Sequence, residues 1–135
     1  MLGLLALSNF LIDVFNMSNL FLEKIVFAGE VGFLNGLLPI NLSDPKVFLP
    51  ESVEEQSRQI MRNLDELLIR QSLKREQIVA VQVFLKDFHR FYSRFEAIAS
   101  ELFGSEISIS KNVVGVVALP RDALISMNFV IRANL

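Results

Sequence analysis

The sequence predicts an α+β domain in the element order ββαβαββ, a mixed sheet with two helices on one of its faces. Three observations carry the prediction. Two stretches repeat apolar residues at spacings of three and four, several short runs are rich in β-branched residues, and Gly and Pro punctuate the boundaries. A chain of 135 residues falls within the roughly 100–200 residues of one domain, so a single core is expected.

Lys24 to Ala28 and Val31 to Leu34 are rich in β-formers and flank Gly29-Glu30, which predicts a hairpin. Gly36, Pro39 and Ser43-Asp44-Pro45 mark the loop that follows. Ser52-Val53-Glu54-Glu55 has the form of a capping box, in which hydroxyl and carboxylate satisfy reciprocal amides at a helix start. Val53, Ser57, Ile60, Met61, Leu64, Leu67 and Leu68 then set one apolar stripe along residues 53–71. Ile78 to Leu85 reads as a central strand, with Val79, Val81, Val83 and Leu85 sharing a face. Asp87 is the expected N-cap of a second helix, whose apolar face runs from Phe88 through Phe91 and Phe95 to Leu102 before Gly104. Val113 to Ala118 and Ile125 to Ile131 are two further strands across a turn at Leu119-Pro120-Arg121-Asp122. Two helices cover one sheet face; Val79, Val81, Val83, Val114 and Val116 are expected on the other, where self-association would bury them.

Composition excludes several classes. Apolar residues make up 52% against 21% charged, the opposite of a disordered tail. Net charge is −2, so no phosphate-binding footprint is present and no nucleic-acid partner is expected. The chain has no cysteine and one histidine, which leaves no thiol nucleophile, disulfide or multi-His metal centre, and no metal is expected. Met1 to Ile12 carries no charge, but Asp13 interrupts it short of the about 20 apolar residues of a membrane span. The first basic residue is Lys24, which argues against a signal peptide. Residues 1–22 are read as an apolar N-terminal arm, with Met17 an alternative start, and residues 23–135 as the domain; the cytoplasm is the expected compartment.

Candidate chemistry is sparse. His89 lies in the first turn of a helix, where a solvent-facing role outweighs general-base work. Glu54-Glu55 and Asp65-Glu66 form a solvated helix face. No G-x-S-x-G elbow and no Gly-rich phosphate loop occurs. Lys111, before an apolar strand in Ser110-Lys111-Asn112-Val113, reads either as a cation presented at a sheet end or as an exposed strand-edge lysine.

Four segments in order resemble the RidA/YjgF family. They are Asn35-Gly36-Leu37-Leu38-Pro39-Ile40-Asn41; Glu55-Gln56-Ser57-Arg58-Gln59 with Asn63-Leu64; Val81-Gln82-Val83-Phe84-Leu85-Lys86-Asp87; and Val117-Ala118-Leu119-Pro120-Arg121-Asp122-Ala123. The resemblance spans roughly Glu23 to Arg132. It implies a chorismate-mutase-like fold, a homotrimer with ligand clefts between subunits, and cofactor-free hydrolysis of reactive enamines and imines to 2-keto acids and ammonia.

The departures fall where the family's site is expected. Lys111 stands at the position of the signature arginine, whose planar fork grips a carboxylate bidentately as an ammonium cannot. Ser126 stands at the position of the carboxylate that helps place the attacking water, and a hydroxyl is a poor base near neutral pH. Asn35 replaces a serine beside Gly36, Phe95 replaces an asparagine, and the family tyrosine falls at Phe21 or Leu22. The resemblance therefore implies catalytic roles for Lys111 and Ser126, and substrate contacts from Asn35, Gly36, the Val113 amide, Phe95 and Phe21. The expected function is binding of a small carboxylate or imine metabolite between subunits, with deaminase activity weak or lost. Two alternatives stand beside it: an active deaminase releasing 2-keto acid and ammonia from 2-iminopropanoate or 2-iminobutanoate, and a non-catalytic trimeric module that docks a protein.

Overall fold

The computed structural model describes residues 24–105 and 108–134. The expected arm, residues 1–22, and with it Phe21, lies outside the described residues. The elements are β1 (Val26–Ala28), β2 (Val31–Leu37), α1 (Val53–Arg70), β3 (Ile78–Lys86), α2 (Phe88–Phe103), β4 (Ser110–Val116) and β5 (Ile125–Arg132), the predicted ββαβαββ order. The five strands form one sheet in the order β1-β2-β5-β3-β4. Only β3 and β4 run parallel, joined by α2 as a crossover helix; the other pairings are antiparallel, so the sheet is mixed.

Both helices pack on the same face, α1 against β2 and β5 and α2 against β3 and β4. The stripe of α1 behaves as its spacing predicts: Val53, Ser57, Ile60, Met61, Leu64, Leu67 and Leu68 are all buried. A Leu so placed contributes about 1.5–3 kcal/mol relative to exposure. The Ser52 half of the capping box forms, with the Glu55 amide donating to Ser52 Oγ at 3.1 Å. The reciprocal half is replaced, because the Glu55 carboxylate accepts from Arg58 at 2.6 Å.

Two expectations are corrected. Val81, Val83 and Leu85 do not lie on the outer face; they are at most 2% exposed and form the core beneath the helices. A bulge between Ile78 and Ala80 in the β3–β5 pairing absorbs one residue, leaves Val79 outside, and reverses the face of each side chain after it. The outer face instead carries Ala80, Gln82 and Phe84 beside Asn112, Val114 and Val116. Asp87 is the N-cap of α2 by position, but its φ of 55° is left-handed and its side chain makes no capping hydrogen bond.

Two buried amides of α1 fix the loop after β2. Asn63 Nδ2 donates to the carbonyls of Leu38 at 3.0 Å and Ile40 at 2.8 Å. Gln56 donates to the Pro50 carbonyl and accepts from the Leu124 amide, each at 2.8 Å. On the same face, at the β4 edge, Gly115 admits α2: a Cβ there would stand 2.9 Å from Phe88 Cβ.

Candidate functional site

Lys111 sits on the edge strand β4 in register with the buried Val81. Partners in a ladder share a face, so Lys111 points toward α2. There its Nζ lies 3.1 and 3.3 Å from the two carboxylate oxygens of Glu96 and 6.0 Å from the Phe95 ring. Both side chains of the pair are about one-third exposed, at 31% and 34%. A cavity of about 160 Å³ opens beside the ammonium, lined by Ala99, Ser100, Phe103, Gly104 and Ile109. Phe95 forms no part of that lining. It is fully buried, packed near Phe103, and supports the cation from beneath. Val113, two residues beyond Lys111, is half-buried against the core.

Asn35 and Gly36 lie elsewhere, in an irregularity of the β2–β5 ladder between Leu34 and Leu37. Gly36 has φ +70°, a conformation glycine adopts without strain, and its amide donates to Asn128 Oδ1 at 2.6 Å. Asn35 is exposed beside it. Ser126 is on the strand that carries Asn128, two residues before it, so both occupy the outer face; Ser126 is 4% exposed and in register with Phe84. Lys111 and Ser126 are therefore on opposite faces of the sheet, separated by β3, and one chain does not bring them together. The predicted residues divide into two groups: Lys111, Val113 and Phe95 at the β4 edge, and Asn35, Gly36 and Ser126 at the β2–β5 irregularity.

Glu96 and Asn128 are the functional candidates that sequence reasoning missed. Glu96 shares one helix ridge with Ala99, Ser100 and Phe103, at i, i+3, i+4 and i+7, a pattern visible in the sequence once the strand it faces is known. Asn128 has the weaker signal of a polar residue in an apolar strand. His89 is exposed and stands edge-on to Phe88. Among the described residues no three His, Cys, Asp or Glu side chains gather as a metal site, and no helix is long and apolar enough to cross a membrane.

Known proteins share this arrangement. The family model described as Endoribonuclease L-PSP matches residues 17–132. A RutC family protein of Aquifex aeolicus is 32% identical over 98 residues, 73% of this chain and 77% of its own. Among solved structures, the YjgF gene product of E. coli is 26% identical with a TM-score of 0.66, covering 82% of this chain and 87% of that one. E. coli TdcF with bound serine superposes with a TM-score of 0.71 at 18% identity, covering 82% and 87%; at that identity the likeness is one of fold. Motif order, sheet topology and these matches agree: the chain belongs to the RidA/YjgF family.

Proposed function

We propose that this protein is a cytoplasmic homotrimer that binds a small carboxylate or imine metabolite in clefts between subunits, with imine hydrolysis weak or lost. The observation that carries the reading is the divided site. Lys111 and its cavity lie at one sheet edge, while Asn35, the Gly36 amide and Ser126 lie on the opposite face at another strand pair. Two half-sites on one chain make a whole site when a second copy supplies the missing half. Lys111 then holds the ligand carboxylate as a point charge, and Asn35 and Gly36 orient the far end. An ammonium lacks the bidentate fork, and Ser126 supplies no base, so turnover is expected to suffer more than binding. The ribonuclease activity in the family model's description is not the reading preferred, since a net charge of −2 offers no phosphate track.

One observation favours a second reading, an active deaminase: Glu96 keeps a carboxylate 3.1 Å from Lys111 although Ser126 supplies none. In that reading water adds to the imine carbon and the carbinolamine collapses to 2-keto acid and ammonia. A coupled assay separates the two. A PLP-dependent dehydratase generates 2-aminoacrylate from serine, and pyruvate formation is followed with wild type, Lys111→Ala and Lys111→Arg. The binding reading expects no acceleration by wild type and a gain in Lys111→Arg. Strong acceleration by wild type that vanishes in Lys111→Ala establishes the deaminase instead.

A further inference from the structure

We infer that Glu96 selects the ligand of the Lys111 site, so that the site takes a small zwitterion, an α-amino acid, in preference to a simple carboxylate. The inference rests on the reading of Lys111 as the ligand's cation. Nothing in the residues aligned with the family's site assigns a part to Glu96, yet among the described residues it is the carboxylate that meets Lys111, at 3.1 and 3.3 Å.

A monocarboxylate that approaches Lys111 must displace Glu96 and then sit beside it, two like charges sharing one cation. An α-amino acid meets no such penalty. Its carboxylate takes Lys111 and its ammonium takes Glu96, so one ion pair is exchanged for two of matched sign. The exchange needs the two side chains to part, which their partial exposure and the flexible lysine stem permit. The adjoining cavity, about 160 Å³, suits a short side chain: Ala99, Phe103 and Ile109 offer apolar contact and Ser100 a hydroxyl. Because Glu96 shares one ridge of α2 with the cavity-lining Ala99, Ser100 and Phe103, ammonium and side chain can be engaged together.

L-Alanine and propanoate differ only in the α-ammonium, and titrating each into the full chain by ligand-observed NMR tests the inference. Wild type is expected to bind L-alanine about tenfold more tightly than propanoate, the order of effect of one well-placed charge pair. Glu96→Gln should weaken L-alanine and strengthen propanoate, each by about three- to tenfold, and Lys111→Ala should abolish both. Lys111→Gln serves as the second cation-free variant if the alanine form does not fold, as judged by circular dichroism. If Glu96→Gln moves both ligands in the same direction or neither, while Lys111→Ala still abolishes binding, the selection by Glu96 is overturned and the Lys111 site stands. If neither ligand binds wild type, or binding survives in both cation-free variants, the reading beneath it fails as well.

Discussion

The Gly36 amide donates to Asn128 Oδ1 at 2.6 Å, a side chain of β5 closing the gap that the ladder irregularity leaves in β2. This bond fixes the backbone at the half-site that contains Asn35. Asn128→Ala should lower stability by about 0.5–1.5 kcal/mol, the net worth of one hydrogen bond, and Tm by a few degrees. Hydrogen exchange of the Gly36 amide checks the cause: it should speed up in the variant while amides of β3 stay protected. Unchanged exchange would sink this account.

The close approach of α2 to β4 makes a second prediction. Gly115→Ala places a methyl 2.9 Å from Phe88 Cβ and 3.4 Å from Phe88 Cγ, so the helix must shift outward. Overpacking of this kind costs about 1–3 kcal/mol. The short contact is to Cβ, which alanine retains, so Phe88→Ala should not rescue Gly115→Ala. A double-mutant cycle by thermal melting reads this directly; full rescue would mean that the ring, not the helix backbone, sets the spacing.

How much was legible beforehand differs by residue. The α1 stripe from Val53 to Leu68 was legible because a helix repeats its buried positions with fixed period, whatever it packs on. The face of Val81 and Val83 was not, since one bulge residue at Val79 inverts the alternation and no Gly or Pro marks it. Lys111 was legible as a cation at a strand start, but its pairing with Glu96 depends on how far α2 slides along β4, which no local pattern encodes. Gln56 and Asn63 stood out as polar residues of the resemblance. That they pin carbonyls of the loop after β2 emerges only from the folded chain.

Acid should loosen the seam between the helices. Glu54 is held below its ordinary carboxyl value chiefly by hydrogen bonds from Arg94, and Glu101 likewise by those from Arg58. A carboxylate whose folded pKa is depressed stabilises the fold above its unfolded value, near 4.5, and that contribution is lost as pH falls through the folded value. Tm should therefore be level near neutrality and drop below about pH 4.5, more steeply in low salt, since these pairs are solvent-screened. The double variant Glu54→Gln, Glu101→Gln should flatten the decline. A decline as steep as in wild type would assign acid sensitivity to other groups.

The outer face of the sheet makes the last prediction. Val26 pairs with Phe33 and Phe33 with Val130, while Phe84 pairs with Val114. Between these apolar groups runs a row of three amides in register, Asn112, Gln82 and Asn128. Val26, Val31, Phe33 and Val114 are 37–63% exposed in the single chain, apolar groups on either side of the amide row that a partner would cover. If the proposed trimer buries this face, a charge there should dissociate it while leaving the protomer folded, because exposed positions tolerate substitution within about 0.5 kcal/mol. Phe33→Lys and Val114→Lys should each shift the light-scattering mass from three chains toward one at micromolar concentration. Ile69→Lys, at a position 75% exposed on α1, should leave the mass unchanged. Trimeric mass in both sheet variants, with circular dichroism as in wild type, would move the interface away from this face and with it the expectation that a neighbour's half-site completes the Lys111 cleft.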